Sequence, residues 1–218
     1  TGPGSELLKQ AMAILMLAAA AYFIGIGLGT LLSDPAATAG RLYWWPVMIL
    51  CAAAGAWTGL RALRLSSGKR AKAIWAALGT AIVALCLYGA VRLTDTGPIA
   101  WAAFTPERLD RAFKEHKTVV MIFTAEWCLN CKALEQSVWN NPELVKLVSG
   151  PSVVPIKVDL TGNNPEGRKM LQEGGSLTIP LLLIYKPDGQ PVLRSDFYTA
   201  TQVVEAIRES LAASPPTP

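Results

Sequence analysis

The chain has 218 residues, enough for one or two domains, and is 51% hydrophobic but only 17% charged, with a mean hydropathy of +0.32. A purely soluble protein carries more charge than this. The net charge of +4 is modest, and no nucleic-acid partner is expected. Four cysteines are too few for a disulfide scaffold, and one histidine, His116, argues against a zinc or haem site of the usual kinds.

Three uncharged runs come first: residues 11–32, 42–60 and 73–91. A membrane-spanning helix needs ~20 apolar residues, so these are expected to be three transmembrane helices in a membrane segment 1–93. Tyr43, Trp44 and Trp45 open the second helix as an interfacial aromatic belt would. Gly25, Gly27, Gly29 and Gly55 would let helices approach closely in lipid. The gap between helices two and three holds Arg61, Arg64, Lys69, Arg70 and Lys72, whereas the first gap holds only Arg41 with Asp34. Basic loops stay in the cytoplasm. Everything after Arg92 is therefore expected on the far side, which in a bacterium is the periplasm. The chain opens Thr-Gly-Pro-Gly without Met, and a piece of a longer protein is expected.

Residues 94–98 read as a linker, 99–213 as a soluble domain and 214–218 as a flexible tail. Residues 99–104 suggest an edge strand. Thr105-Pro106 starts a helix to about His116. Residues 119–124 form a buried strand, and 132–139 a helix. Asn141-Pro142 caps a helical segment through Leu147. Strand 153–158, helix 165–172, the hairpin 181–185 with 192–195, and a last amphipathic helix 201–211 follow. The expected fold class is α/β, a mixed central sheet with helices on both faces.

Between strand 119–124 and the next helix stands Thr124-Ala125-Glu126-Trp127-Cys128-Leu129-Asn130-Cys131-Lys132. A cysteine where a strand turns into a helix meets unpaired N–H groups and the positive end of the helix dipole, which favour the thiolate. The thiolate is the nucleophile. Three residues on is about one helical turn, so Cys131 lies within disulfide reach of Cys128. This reads as a dithiol/disulfide switch. A structural or metal-binding pair is the competing reading, but zinc needs four ligands and no second pair stands at suitable spacing in this domain. Glu135, four residues after Cys131, shares its helical face and could move its proton. Glu126 is expected to face solvent beside the motif. Trp127 is expected to pack beside the site and shape partner contact.

With Ile179-Pro180 ahead of an apolar strand, the motif resembles thioredoxin. With three preceding membrane helices, the whole chain resembles the C-terminal part of the DsbD-type thiol:disulfide interchange proteins (the cytochrome c biogenesis transmembrane family) of the bacterial inner membrane. The resemblance implies a thioredoxin-like fold and a protein-disulfide reductase. Cys128 would be its attacking cysteine and Cys131 its resolving cysteine. No cofactor is implied beyond that redox-active disulfide, and no metal. The implied partners are an upstream membrane core and periplasmic domain of the same protein, periplasmic thiol-disulfide proteins as electron acceptors, and membrane lipid. Pro180 matches the proline whose preceding bond is cis in this fold. The Ile179 backbone could then pair with a bound substrate chain. One departure stands out: thioredoxins place a buried Asp six residues before the first cysteine, and here that residue is Ile122. A non-enzymatic alternative is a tethered CxxC module that binds Cu(I) or a partner protein.

Cys51 and Cys86 fall in the second and third predicted helices. They lie about nine and five residues deep, about 6 Å apart in depth at 1.5 Å per residue. They read as small apolar residues, with pairing geometrically conceivable.

Overall fold

The computed structural model describes residues 3–32 and 41–212. The first gap with Asp34 and the tail 214–218 lie outside the described residues, Arg41 excepted. The chain divides into two compact units: among the described residues, one holds 3–29 and 41–96, and the other is built on 97–212.

The first unit is three helices: α1 (Pro3–Leu32), α2 (Trp44–Leu65) and α3 (Lys69–Thr94). Each carries a stretch long and apolar enough to cross a membrane. All three outrun their uncharged cores, because hydropathy marks where lipid can lie and not where the backbone stops being helical. α2 continues through Arg61 and Arg64, both good helix formers whose long stems let the charge reach water. Trp57 donates its indole N–H to Gln10 at 3.0 Å, which sets the start of α1 beside the later part of α2. At the other end of this pair, a Cβ on Gly25 would lie 2.4 Å from Tyr43 Cβ. Tyr43 is accordingly buried, with its ring 5.8 Å from that of Tyr22, while Trp45 is exposed. Of the expected aromatic belt, Tyr43 is therefore a packing residue.

The second unit is a five-stranded sheet in the order β1-β3-β2-β4-β5. The strands are β1 (Ala102–Ala103), β2 (Thr118–Thr124), β3 (Val153–Asp159), β4 (Leu181–Tyr185) and β5 (Pro191–Ser195). β1, β3 and β2 run parallel, and β4 is antiparallel to both β2 and β5. The expected edge strand shrinks to the two residues of β1.

The helices are α4 (Pro106–Lys114), α5 (Leu129–Ser137), α6 (Pro142–Val148), α7 (Pro165–Glu173) and α8 (Ala200–Ala212). Three of them start with proline behind a side-chain cap: Thr105 accepts from Arg108 N–H, Asn141 from Glu143 and Leu144 N–H, and Asn164 from Gly167 N–H. Proline fits the first helical position because its missing N–H would be unpaired there anyway.

Every residue of β2 is buried. Its alternation divides the core. Val120 and Ile122 face α5, α6 and α8, in a cluster with Leu134, Leu144 and Ile207. Val119, Met121 and Phe123 face the other way, with Ala112 of α4 and Leu171 of α7. This is the mixed sheet with helices on both faces that the strand and helix order predicts.

Tyr198 closes the first cluster, 4% exposed, with its ring 5.9 Å from Trp139. Burial pushes its phenol up to about 12. An unfolded chain releases that proton near pH ~10. The folded state therefore holds the proton more tightly. Its contribution is complete below pH ~10 and is lost as pH rises toward about 12. At about pH 11 the loss should reach ~1.4 kcal/mol, one pKa unit's worth. Urea unfolding of the second unit at about pH 8 and about pH 11 should show this loss, and Tyr198→Phe should remove it.

Candidate active site

The site lies at one end of the sheet, where β2 and β3 finish and β4 begins. Thr124 is level with Asp159, and Phe123 pairs with Leu181, so Pro180 stands next to the end of β2. After Thr124 the chain turns through Ala125, which is fully buried, and α5 begins at Leu129. Cys128 is the N-cap of α5, and its Sγ accepts the Cys131 N–H at 3.2 Å. This sulfur occupies the place where the helix dipole and an N–H with no intrahelical acceptor favour negative charge.

Cys128 and Cys131 form a disulfide with Cα atoms 5.3 Å apart. Both are nearly buried, at 8% and 3% exposure. Ile179 packs against the pair, and the Ile179–Pro180 peptide is cis. The loop leading there is tied down from β5. Arg194 Nε donates to Gly174 O at 2.7 Å, and its Nη2 donates to Gly175 O. Gly175 has φ +79°, a conformation that disfavours side chains. Trp127 is 55% exposed, Leu129 85% and Leu177 81%. Trp127 is thus a surface residue beside the disulfide, not a core one.

Glu126 departs from its expected place in solvent. It is 8% exposed, and Lys132 Nζ lies 2.5 Å from its Oε1. Its backbone N–H donates to Thr161 Oγ1 at 2.9 Å, and Thr161 in turn donates its own N–H to Asp159 at 2.9 Å. The turn before Cys128 is therefore held from both sides.

Glu135 is also partly enclosed. Lys157 Nζ lies 2.9 Å from Oε1, Lys132 Nζ lies 3.4 Å from Oε2, and Thr124 Oγ1 donates at 3.5 Å. The result is a run of alternating charge, Glu126, Lys132, Glu135, Lys157, alongside the disulfide helix. Lys157 is level with Ile122 on the neighbouring strand. Where the resemblance leads one to expect an acid on β2, this chain has isoleucine there, a lysine beside it on β3, and the acid on α5. Sequence reasoning missed Lys157. The available signal was a lone lysine inside the apolar run of β3, which needs a carboxylate if it is not to face water. Among the described residues, no group of His, Cys, Asp and Glu gathers that could hold a metal ion.

The thioredoxin-like family model matches residues 100–187. The chain is 33% identical over 102 residues to the thiol:disulfide interchange protein DsbD of Neisseria meningitidis serogroup A, covering 44% of this chain and 16% of that protein. It is 27% identical over 209 residues to DsbD of Pseudomonas fluorescens, covering 86% of this chain and 34% of that protein. The chain therefore spans about a third or less of these relatives' length. Among solved structures it is similar to the oxidised C-terminal domain of Neisseria meningitidis DsbD, with 29% identity and a TM-score of 0.41, covering 51% of this chain and 99% of that one.

Lys157→Met should destabilise the second unit. Losing one partner of an enclosed pair costs up to 3–5 kcal/mol, but Lys132 remains near Glu135, so about 1–3 kcal/mol is expected. The same change in a Glu135→Gln background should cost clearly less, as measured by urea unfolding of the four chains. Equal costs in both backgrounds would show that the two residues are not coupled.

Proposed function

We propose, for a chain homologous to the C-terminal part of the DsbD-type thiol:disulfide interchange proteins, that its soluble thioredoxin-like unit is a protein-disulfide reductase working by Cys128/Cys131 exchange. One observation carries this reading: a disulfide whose first sulfur caps the helix that begins where a fully buried strand ends. In the reduced form, the Cys128 thiolate attacks a partner disulfide and displaces one partner thiolate. The mixed disulfide is then attacked by Cys131, which releases the second partner thiolate and closes Cys128–Cys131. Two electrons pass to the partner, and two protons complete its dithiol. Glu135, one helical turn beyond Cys131, receives the resolving thiol's proton, while Lys157 and Lys132 hold that carboxylate in place. Trp127 forms part of the surface that partners meet. The Ile179 backbone beside Pro180 offers the partner's chain an extended segment to pair with.

The direction of electron flow, from a membrane relay toward periplasmic partners, rests on the family resemblance. Cys128→Ser should abolish turnover, whereas Cys131→Ser should trap mixed disulfides with the natural partner, seen as reducible adducts on gels. The reduction potential of the soluble unit in glutathione buffers should fall near or below roughly −200 mV; a value near roughly −120 mV would mark an oxidant and reverse the proposed flow.

On this reading the unit lies in the periplasm, behind an inner-membrane anchor. Arg61, Arg64, Lys69, Arg70 and Lys72 gather around the α2–α3 turn. The Gln10–Trp57 bond brings the start of α1, with Lys9, to that same end of the helices. Such a basic end stays cytoplasmic. Alkaline phosphatase fused after Ala212 should be active, and a fluorescent protein that matures only in the cytoplasm should be dark at the same site. The opposite pair of results would reject this orientation.

A further inference from the structure

α2 and α3 pack along a stripe of small residues whose register is fixed by three contacts. A Cβ on Gly59 would lie 3.3 Å from Gly79 Cα, one on Gly55 would lie 2.4 Å from Ile82 Cγ2, and one on Gly89 would lie 3.5 Å from Met48 Sδ. The helices are antiparallel, so these contacts are successive rungs of a ladder. One rung is still to be filled. Three residues along α2 from Met48, and three back along α3 from Gly89, stand Cys51 and Cys86. Four further in each direction lead to Gly55 and Ile82. The two thiols thus face each other between a rung on either side.

Both cysteines are free and partly buried. The separation in depth expected from sequence disappears here. Cys51 lies seven residues in from the start of α2 and Cys86 eight from the end of α3, which is ~10–12 Å in both cases. Packed helices usually keep 8–10 Å between axes. Backbone contact between Gly59 and Gly79 requires less than that close by, and a disulfide needs Cα atoms within ~7 Å.

We propose that Cys51 and Cys86 are a second thiol–disulfide couple, closing as a bond between α2 and α3 within the membrane-spanning unit. Closure breaks two S–H bonds and forms one S–S bond. The two electrons and two protons go to the disulfide of a protein CxxC pair, which opens to a dithiol; the reverse exchange reopens the bond. This couple stands on the helix register alone and does not depend on the function proposed for the soluble unit.

The test uses the full chain in native membranes with Cys128 and Cys131 both changed to Ala, so that only the helix thiols remain. Membranes are treated with the thiol oxidant diamide, quenched in acid, dissolved in SDS and alkylated with a maleimide-polyethylene glycol. Denaturing alkylation reads every free thiol, whether or not it was exposed in the folded chain. The expected result is two adducts before diamide, none after it on a monomer band, and two again after dithiothreitol. Mass spectrometry should find the peptides of residues 51 and 86 joined. With Cys51→Ser added, one adduct should persist on the monomer throughout. Two adducts after diamide, or disulfide-linked dimers in place of the closed monomer, would overturn the proposal.

Discussion

β2 is buried along its whole length, paired with β3 on one side and β4 on the other. Full burial of each large apolar side chain there is worth roughly 1.5–3 kcal/mol. A slip of one residue would exchange Val120 and Ile122 with Val119, Met121 and Phe123 between two differently shaped halves of the core. The strand therefore has one register, and its last residue, Thr124, is a fixed point. Ala125, the cap at Cys128 and the first turn of α5 are all built outward from it. Because β4 runs back along β2, the cis peptide at Ile179–Pro180 is delivered to the same end. The chemistry stands where three strand ends coincide, and its geometry is as rigid as the sheet beneath it.

The second constraint is electrostatic. Charges that leave water must be paired. Glu126 and Glu135 do so through Lys132, and Glu135 also through Lys157. Two acids and two bases cancel, so the run adds no net charge beside the sulfur pair. Lys132 belongs to the CxxC helix itself, whereas Lys157 belongs to the sheet. The run thereby ties the turn before Cys128, the helix after it and the strand behind it into one assembly. Ile122 fits this arrangement: its side chain fills the core among Leu134, Leu182 and their neighbours, and the acid is supplied from the helix.

Much of this was legible in the sequence because the signals are local. Uncharged runs, proline behind a capping residue, and a cysteine pair between an apolar strand and a helical pattern are all readable within a few residues. The hairpin strand 181–185 emerges with the bounds the sequence suggests. What stayed hidden depends on contacts between distant residues. The burial of Glu126 needs Lys132 and the Thr161 loop, neither of which the motif itself reveals. Lys157 acquires meaning only once β3 is registered against β2. The facing of Cys51 and Cys86 depends on the rotation of two helices about their own axes, which uncharged composition does not encode. Counting inward from hydropathy boundaries failed there because α2 begins two residues late and α3 ends three residues beyond them.

The position of the acid has a mechanical consequence. A carboxylate growing from a central strand would stay with the sheet if the cysteine helix shifted. Here Glu135 rides on α5, in the same rigid turn as Cys131, while Lys157 stays behind on β3. Any displacement of α5 away from the sheet would carry the acid along with the sulfur and stretch the 2.9 Å pair by a similar amount. Motion of the helix is thereby converted into separation of charge. The ion pair opposes that separation and so favours the cysteine helix seated on the sheet.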